Sequence, residues 1–435
     1  MLDAVQRLMN DKRPVIDREG NERAAFTFRV AQCYRGLHGI PPAIYGNRCG
    51  DRAEWRDTQT CGSVWHCPIC AGKVSSKRRD ELSAMLAAWR STDNGAIFLL
   101  TYTHSHEKNE MPLAGQLQLM QRCYKSLTGS KRFRALMAEA GNVGSARALE
   151  VTHGEYHGWH PHIHALAFLS RDAVVLDRNE KIVLWLSPLA RARRLWVERL
   201  IDAGLSGIRP GDTGRARFVK LRHLMRCALD IRDGQYAADY VAKYGVEPST
   251  ATGGRWGIGS EMTKGHTKRG ERLQGRTPFA LLLMYSRGNP FAGDLFREYA
   301  LAFNGKRQLV ASPGLRKRLI ESLEKNLNLD MFTRVRLLAV LRKEKTDDEI
   351  AAASDARCDQ KIIRPTFADW RLVLMHKARG EVIVATIEGG AAGARRYLDA
   401  LAGRPAPPFA DVLAQYDDTA IFARPLRFDQ IGRAA

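Results

Sequence analysis

Two histidines, His162 and His164, stand two residues apart and lead into an apolar run. On a β-strand this spacing places both imidazoles on one face, because side chains alternate between the faces of a sheet. Two imidazoles on one face can hold a divalent cation when a third ligand stands opposite them. A single His-x-His pair is more often just a half-buried polar pair, so the metal assignment depends on finding partners.

An acidic residue on the preceding strand is the candidate third ligand. If a strand over residues 146–152 turns near Tyr156, paired positions sum to about 312, and Glu150 falls opposite His162 on the same face. Glu155 is the alternative, but it sits in the turn. One carboxylate with two imidazoles suits Mg²⁺ or Mn²⁺, with positions left open for phosphate and water.

A tyrosine pair is the candidate nucleophile. The segment from Asp233 to Gly245 reads as a helix, with a possible N-cap and a glycine stop. Tyr240 and Tyr244 are four residues apart, so they share a helix face, and Lys243 flanks it. Alone, such a stripe is more often helix core. Beside a metal-binding strand, the same stripe more often belongs to a functional site than to a helix core.

Four cysteines form a second candidate metal site: Cys49, Cys61, Cys67 and Cys70. The Cys-Pro-x-Cys portion is a tight knuckle that offers two thiolates to one tetrahedral ion, and four thiolates would close the shell around structural zinc. The overall spacing matches no common zinc finger, so the fourth ligand is open. His66 could replace Cys49, and Cys33 is a remoter option.

The chain carries a formal net charge of +21 and a pI of about 9.9, which suggests a polyanionic partner, most simply nucleic acid. We expect residues 188–205 to form a basic helix and residues 215–226 a basic strand or loop, with some side chains on DNA phosphates. The candidate DNA-binding residues are Lys131, Arg132, Arg215, Arg217, Lys220 and Arg222.

Membrane insertion is not expected, because the longest apolar run, Phe279 to Tyr285, is too short to span a bilayer. The charged stretch from Met1 to Pro14 does not read as a signal peptide. We therefore expect a cytoplasmic protein whose cysteines are thiols or metal ligands rather than disulfides.

The two-part pattern resembles a known family. His162-Ile163-His164, followed by Tyr240-Val241-Ala242-Lys243-Tyr244, resembles the HUH endonucleases, and more closely the rolling-circle replication initiator proteins of plasmids and single-stranded-DNA phages. The resemblance includes Gly158 to Pro161 and runs from about Cys49 to about Leu315. A strand over residues 96–103 that ends in Thr-x-Thr is similar to the family's first motif.

This resemblance implies an α+β fold around the central antiparallel sheet of the HUH nuclease, a split βαβ, ferredoxin-like palm. We expect residues 1–94 to contain the zinc module (49–70), residues 95–290 to form the nuclease domain, and residues 291–435 to form a basic, mainly helical region. The implied zinc is structural, and the implied Mg²⁺ or Mn²⁺ is catalytic.

The implied activity is metal-dependent nicking of single-stranded origin DNA, through a covalent 5′-phosphotyrosine link and later strand transfer. Tyr244 stands where single-tyrosine plasmid initiators have their nucleophile. At Tyr240 such initiators can carry a glutamate, so this chain resembles the two-tyrosine phage and transposon enzymes there. No Walker A loop occurs, so a host helicase and polymerase are expected partners.

Two alternatives stay open. One is an HUH rolling-circle transposase of an insertion sequence, which would share the cysteine cluster and the tyrosine pair. The other is a zinc-dependent DNA-binding protein without catalysis. Detection of a specific nick separates the enzymes from the binding protein, and the identity of the flanking DNA separates initiator from transposase.

Overall fold

The computed structural model describes residues 1–16, 22–36, 40–47, 49–105, 111–171, 188–233, 275–325, 329–342, 360–376 and 378–405. The predicted tyrosine helix, with Tyr240, Lys243 and Tyr244, lies outside these residues. The chain divides into two compact units. The larger comprises Val64–Glu344 with Met1, and the smaller comprises Leu2–Ser63 with Lys345–Ala435.

Helices and antiparallel strands are mixed along the chain, which confirms the predicted α+β class. The described strands are β1 Lys12–Ile16, β2 Glu22–Phe26, β3 Ala43–Gly46, β4 Ala53–Arg56, β5 Gly95–Tyr102, β6 Gly144–Gly154, β7 Gly158–Ser170, β8 Leu229–Asp233, β9 Gly275–Arg276, β10 Leu309–Ala311 and β11 Gln360–Ile363. The described α-helices are α1 Leu2–Leu8, α2 Pro68–Arg90, α3 Leu113–Gly129, α4 Lys131–Glu139, α5 Pro188–Asp202, α6 Gly214–Cys227, α7 Pro278–Ser286, α8 Pro290–Phe303, α9 Leu315–Lys325, α10 Met331–Arg342, α11 Phe367–Met375 and α12 Arg379–Ala402.

An antiparallel sheet in the order β10-β6-β7-β5-β8 organises the larger unit, and β9 pairs with the far end of β6. Strand β5 and the Ala165–Leu169 end of β7 are apolar runs, because both faces of the sheet are covered there. One face packs through Leu166 and Phe168 against α2, α9 and α10. On the other face the Tyr102 ring meets Tyr124 of α3 and Trp196 of α5, each at 5.1 Å between ring centroids.

The smaller unit is built around the three-stranded sheet β11-β3-β4, on which α11 and α12 pack. The rings of Trp55 and Trp370 lie 5.0 Å apart in its core. This unit joins early and late parts of the chain, because β11 pairs with β3, so the compact units divide the chain differently from the predicted boundaries after residues 94 and 290.

One predicted element in the basic part of the larger unit is wrong. Residues 215–226, expected as a strand or loop, lie in helix α6. Their side chains are mostly long and unbranched, a composition that favours helix, and Leu224 anchors the helix by burial. The predicted basic helix over residues 188–205 is confirmed as α5, which ends at Asp202.

Candidate functional site

The β6–β7 hairpin places the candidate divalent-metal ligands. Its strands pair with Glu150 opposite His162, so the predicted register is confirmed. The turn comprises three residues, Glu155 to His157, and Gly158 follows with φ of +69°, a left-handed conformation that glycine adopts at little cost. Glu155 is exposed in this turn, away from the sheet position that Glu150 occupies.

Glu150 and His164 are brought into direct contact within the sheet. Glu150 Oε2 lies 2.7 Å from His164 Nε2, and both side chains are buried. On the other side of the ring, His164 Nδ1 lies 3.0 Å from the Thr101 hydroxyl of β5. The imidazole is therefore held on both nitrogens, and Nε2 points at the carboxylate.

His162 lies on the same sheet face as His164, but its ring is not part of the Glu150–His164 contact. The two rings are nearly parallel, with centroids 6.0 Å apart, and the His162 ring also meets the edge of His160 at 4.2 Å. Glu150, His162 and His164 therefore do not form a compact three-ligand group. In the described part of the chain, only a group of cysteines brings three or more potential ligand atoms within 4.8 Å of one another.

The donor set of this face fits a divalent cation. Two ligand atoms about 2.1 Å from one ion, at a right angle, stand about 3 Å apart, close to the spacing of Glu150 Oε2 and His164 Nε2. Imidazole and carboxylate together suit a metal such as Mn²⁺. His162, on the same face, would be the third ligand.

Four buried cysteines form a second group that could bind zinc: Cys33, Cys61, Cys67 and Cys70. Their sulfur atoms all lie within 4.8 Å of one another. Cys67 caps the N-terminus of α2, accepting from the Cys70 backbone N–H, and Pro68 holds the first helical position. The Cys-Pro-x-Cys knuckle is thus a helix cap that turns two thiols toward one point.

The structure groups Cys33, rather than the predicted Cys49, with the other three cysteines. Cys49 is exposed and stands outside the group, and Cys33 takes its place. The backbone N–H of Cys61 donates to Cys33 Sγ at 3.5 Å, which ties these two residues together. His66 is also outside the group. Its Nε2 lies 2.9 Å from the carbonyl oxygen of Ala300, and burial lowers the pKa of its imidazole.

The candidate DNA-binding residues lie on helices. Lys131 and Arg132 are exposed in the first turn of α4, and Arg132 pairs with Glu198 at 3.6 Å. On α6, the three candidate arginines are exposed, but the Lys220 ammonium lies 2.6 Å from Asp212 Oδ2. That ion pair makes Lys220 less available to phosphate than its neighbours are.

Two residues have larger parts than the motifs predict: Thr101, which contacts His164, and Cys33, which the sequence offers only as a remoter option. Thr101 belongs to the Thr-x-Thr at the end of β5. It pairs with His164 across the sheet, and this strand register is what places its hydroxyl beside the imidazole. Cys33 is farther along the chain from the knuckle than Cys49 is, so spacing alone favours Cys49. The predicted nucleophiles Tyr240 and Tyr244 lie outside the described residues.

Comparison with known proteins bears on this part of the chain. Residues 52–179, which include β5, β6 and β7, match a family model described as "Replication protein". The chain is 28% identical over 212 residues to "Protein rep" of Streptomyces lividans, covering 42% of this chain and 45% of that protein. It is 27% identical over 168 residues to "Neomycin resistance protein" of Streptomyces cyanogenus, covering 33% of this chain and 38% of that protein.

These alignments span less than half the length of either relative. No solved structure matches the chain significantly.

Among the described helices, none combines the length and apolar character needed to cross a membrane. The matched segment carries the hairpin of Glu150 and His164, and the similarity to a replication (Rep) protein that the sequence motifs predicted is therefore confirmed.

Proposed function

We propose that this protein is a rolling-circle replication initiator that nicks single-stranded origin DNA by tyrosine attack at a metal site on the β6–β7 hairpin. The observation that carries the proposal is the buried contact between Glu150 and His164, in the segment that matches replication proteins. The fold we propose for this unit is the HUH palm, with β6, β7 and β5 supplying its site.

Glu150, His162 and His164 would hold Mg²⁺ or Mn²⁺. The bound ion would withdraw charge from the scissile phosphate. Thr101 keeps the His164 ring in one orientation, since a hydroxyl that accepts from Nδ1–H leaves Nε2 as the lone-pair donor. Burial of Glu150 and His164 keeps water from competing for these donor atoms.

The nucleophile we propose is the phenolate of Tyr244, with Tyr240 as a second one. A new P–O bond forms between the phenolic oxygen and the phosphorus as the bond to the 3′ oxygen of the preceding nucleotide breaks. That oxygen leaves as a 3′-hydroxyl after taking a proton. A free tyrosine titrates near ~10, so Lys243 would help it to deprotonate. A host polymerase and helicase would then use the 3′ end.

Zinc at the cysteine group would be structural. Four thiols leave no open coordination position for a substrate, and a closed site of this kind contributes directly to folding. The ligands we propose are Cys33, Cys61, Cys67 and Cys70, with Cys33 in the place first predicted for Cys49.

The test is a nicking assay on single-stranded origin DNA with Mn²⁺. His164→Ala and Glu150→Gln should each abolish nicking and leave DNA binding intact, because these residues serve the phosphate rather than the protein–DNA contact surface. His157→Ala is the matched control, since it removes an exposed histidine of the turn. Full cleavage by His164→Ala in chelator-treated buffer would rule the mechanism out. Tight binding without any nick in the wild type would instead indicate a non-catalytic DNA-binding protein.

A further inference from the structure

Helix α6 is unusually exposed for an element of a folded unit. Of its 14 residues, only Leu224 is buried. Phe218 keeps 63% of its surface exposed and Val219 keeps 55%. These two neighbours leave apolar surface exposed on an otherwise basic helix, and covering that surface in a complex would be favourable, so α6 is a candidate contact surface.

The exposed side chains of α6 form one continuous stripe. Arg215, Phe218, Arg222 and Arg226 follow one another at intervals of three, four and four residues, so they line a single helix face. At 1.5 Å per residue the stripe is about 16 Å long. We call these four residues the α6 stripe. One aromatic ring lies among three guanidinium groups, with no acidic residue on the face.

The charges of the α6 stripe are available to a partner. Within the part of the chain that the structure describes, no carboxylate forms an ion pair with its three arginines. The nearest acid in sequence, Asp212, accepts from Lys220 and from the Arg209 backbone, and these contacts lower the pKa of its carboxyl. Asp212 therefore already has partners at the start of the helix and does not neutralise the arginines of the stripe.

The C-terminal end of α6 is fixed beside the strand that orients His164. The Thr103 hydroxyl donates to the carbonyl oxygen of Cys227 at 3.0 Å, and the Thr103 N–H donates to that of Ala228 at 2.9 Å. Thr103 lies two residues beyond Thr101. Arg226, next to Cys227, is therefore the residue of the stripe closest in sequence to this anchored end.

We propose that the α6 stripe is a track for single-stranded DNA, on which Phe218 stacks against a base while the arginines hold the flanking phosphates. This inference rests on the proposed nicking function and names the surface that guides the strand to the metal site. Sequence-tolerant single-strand binding combines these two elements, basic side chains along the backbone and aromatic faces for the bases. A guanidinium beside the ring also favours a stacked base.

Single-stranded DNA fits the stripe better than a duplex does. A phenyl ring carries no donor or acceptor with which to read base edges in a groove. Its stacking face is useful only where bases are unstacked and accessible. An apolar protein partner is disfavoured as well, because it would bury three arginines without offering them a counter-charge.

The experiment measures binding of the full-length protein to a labelled single strand of mixed sequence and to the same sequence as a duplex. Phe218→Ala should weaken single-strand binding about 5- to 150-fold, the range for loss of one base–aromatic stack. Phe218→Trp should preserve binding. Phe291→Ala is the matched control, because Phe291 is 66% exposed and lies on a different helix, α8. It should bind like the wild type.

Salt dependence separates the two contributions. Phe218→Ala should leave the slope of log affinity against log salt unchanged, whereas Arg222→Gln should reduce its magnitude by about 0.7. Equal losses for Phe218→Ala on single strand and duplex, or a loss no larger than that of Phe291→Ala, would overturn the inference. Nicking by the wild type is scored separately, so failure of the stripe and failure of the proposed function give different results.

Discussion

His164 is held at both ring nitrogens, by Glu150 at Nε2 and by Thr101 at Nδ1. The two partners have different roles, one as a proposed metal ligand and the other in orienting the ring. Glu150 would share the cation with His164, whereas Thr101 touches only the ring and fixes which nitrogen faces the ion. A histidine ligand that can rotate or change tautomer loses part of its affinity, so the hydroxyl of Thr101 should matter to metal binding more than to folding.

Thr101→Val should therefore raise the Mn²⁺ concentration needed for half-maximal nicking by about 10- to 100-fold, the usual effect of losing such an outer partner. The melting temperature should change little, because valine preserves the shape and the strand propensity. Thr152→Val is the matched control, since Thr152 lies on the same sheet face opposite His160. If both variants respond equally to Mn²⁺, Thr101 has no orienting role.

The cysteine group offers a second test at single residues. Cys33→Ser should remove close to one equivalent of bound zinc and destabilise the protein, because three thiolates hold the ion poorly. Cys49→Ser should retain the zinc, since Cys49 is exposed and outside the group. Elemental analysis of carefully purified protein decides. Zinc retained by Cys33→Ser and lost by Cys49→Ser would restore the first predicted ligand set.

The difference between these two sites shows what sequence can and cannot predict. Glu150 could be placed opposite His162 because a short turn fixes the register of a hairpin and side chains alternate on a strand. Cys33 could not be ranked above Cys49, because it lies 28 residues before Cys61 and no local periodicity carries information over that separation.

At the scale of elements, local signals were reliable and distant pairings were not. The buried strand β5 and the hairpin followed from apolar runs and turn residues. The pairing of β11 with β3 joins segments more than 300 residues apart, and tertiary packing alone selects it. Helix α6 was hard to predict because it buries only one residue. Its sequence therefore lacks the helical repeat of apolar residues that identifies an amphipathic helix.

The contact between α11 and α12 in the smaller unit should depend on pH. Arg395 donates two hydrogen bonds to the Asp369 carboxylate, at 2.8 and 2.9 Å, and these lower the pKa of Asp369 from 3.8 to about 2. A carboxyl with a lowered pKa stabilises the fold above pH 4, and that stabilisation is lost as the pH falls toward 2.

Asp369→Asn should therefore reduce the free energy of unfolding by about 1.5–3 kcal/mol at neutral pH, as expected for lost hydrogen bonds to a charged group. Its deficit relative to the wild type should shrink between pH 4 and pH 2. Asp399→Asn is the control, because Asp399 pairs with the same arginine at an exposed position, where such pairs contribute under about 1 kcal/mol. Denaturant titrations over this pH range would contradict the account if the deficit stayed constant.

For the whole molecule, the net charge of +21 should govern association with DNA. If about six to ten phosphates are neutralised, affinity should fall by ~10³ to 10⁵ between 50 and 200 mM salt. Fluorescence anisotropy at several salt concentrations measures this directly. A flat response would show that the charge serves some other purpose than contact with phosphates.

Mass spectrometry of the DNA-linked peptide shows whether a tyrosine becomes linked to DNA in a reaction that needs the Glu150–His164 site. With single-stranded origin DNA and Mn²⁺, we predict an adduct on Tyr244 or Tyr240. Each single Tyr→Phe variant should keep some adduct, and only the double variant, or His162→Ala with His164→Ala, should lose it. An adduct on Tyr244 alone in every variant would reduce Tyr240 to a packing residue. An adduct that persists in the double histidine variant would rule out the metal site, and an adduct that maps to neither tyrosine would rule out tyrosine attack.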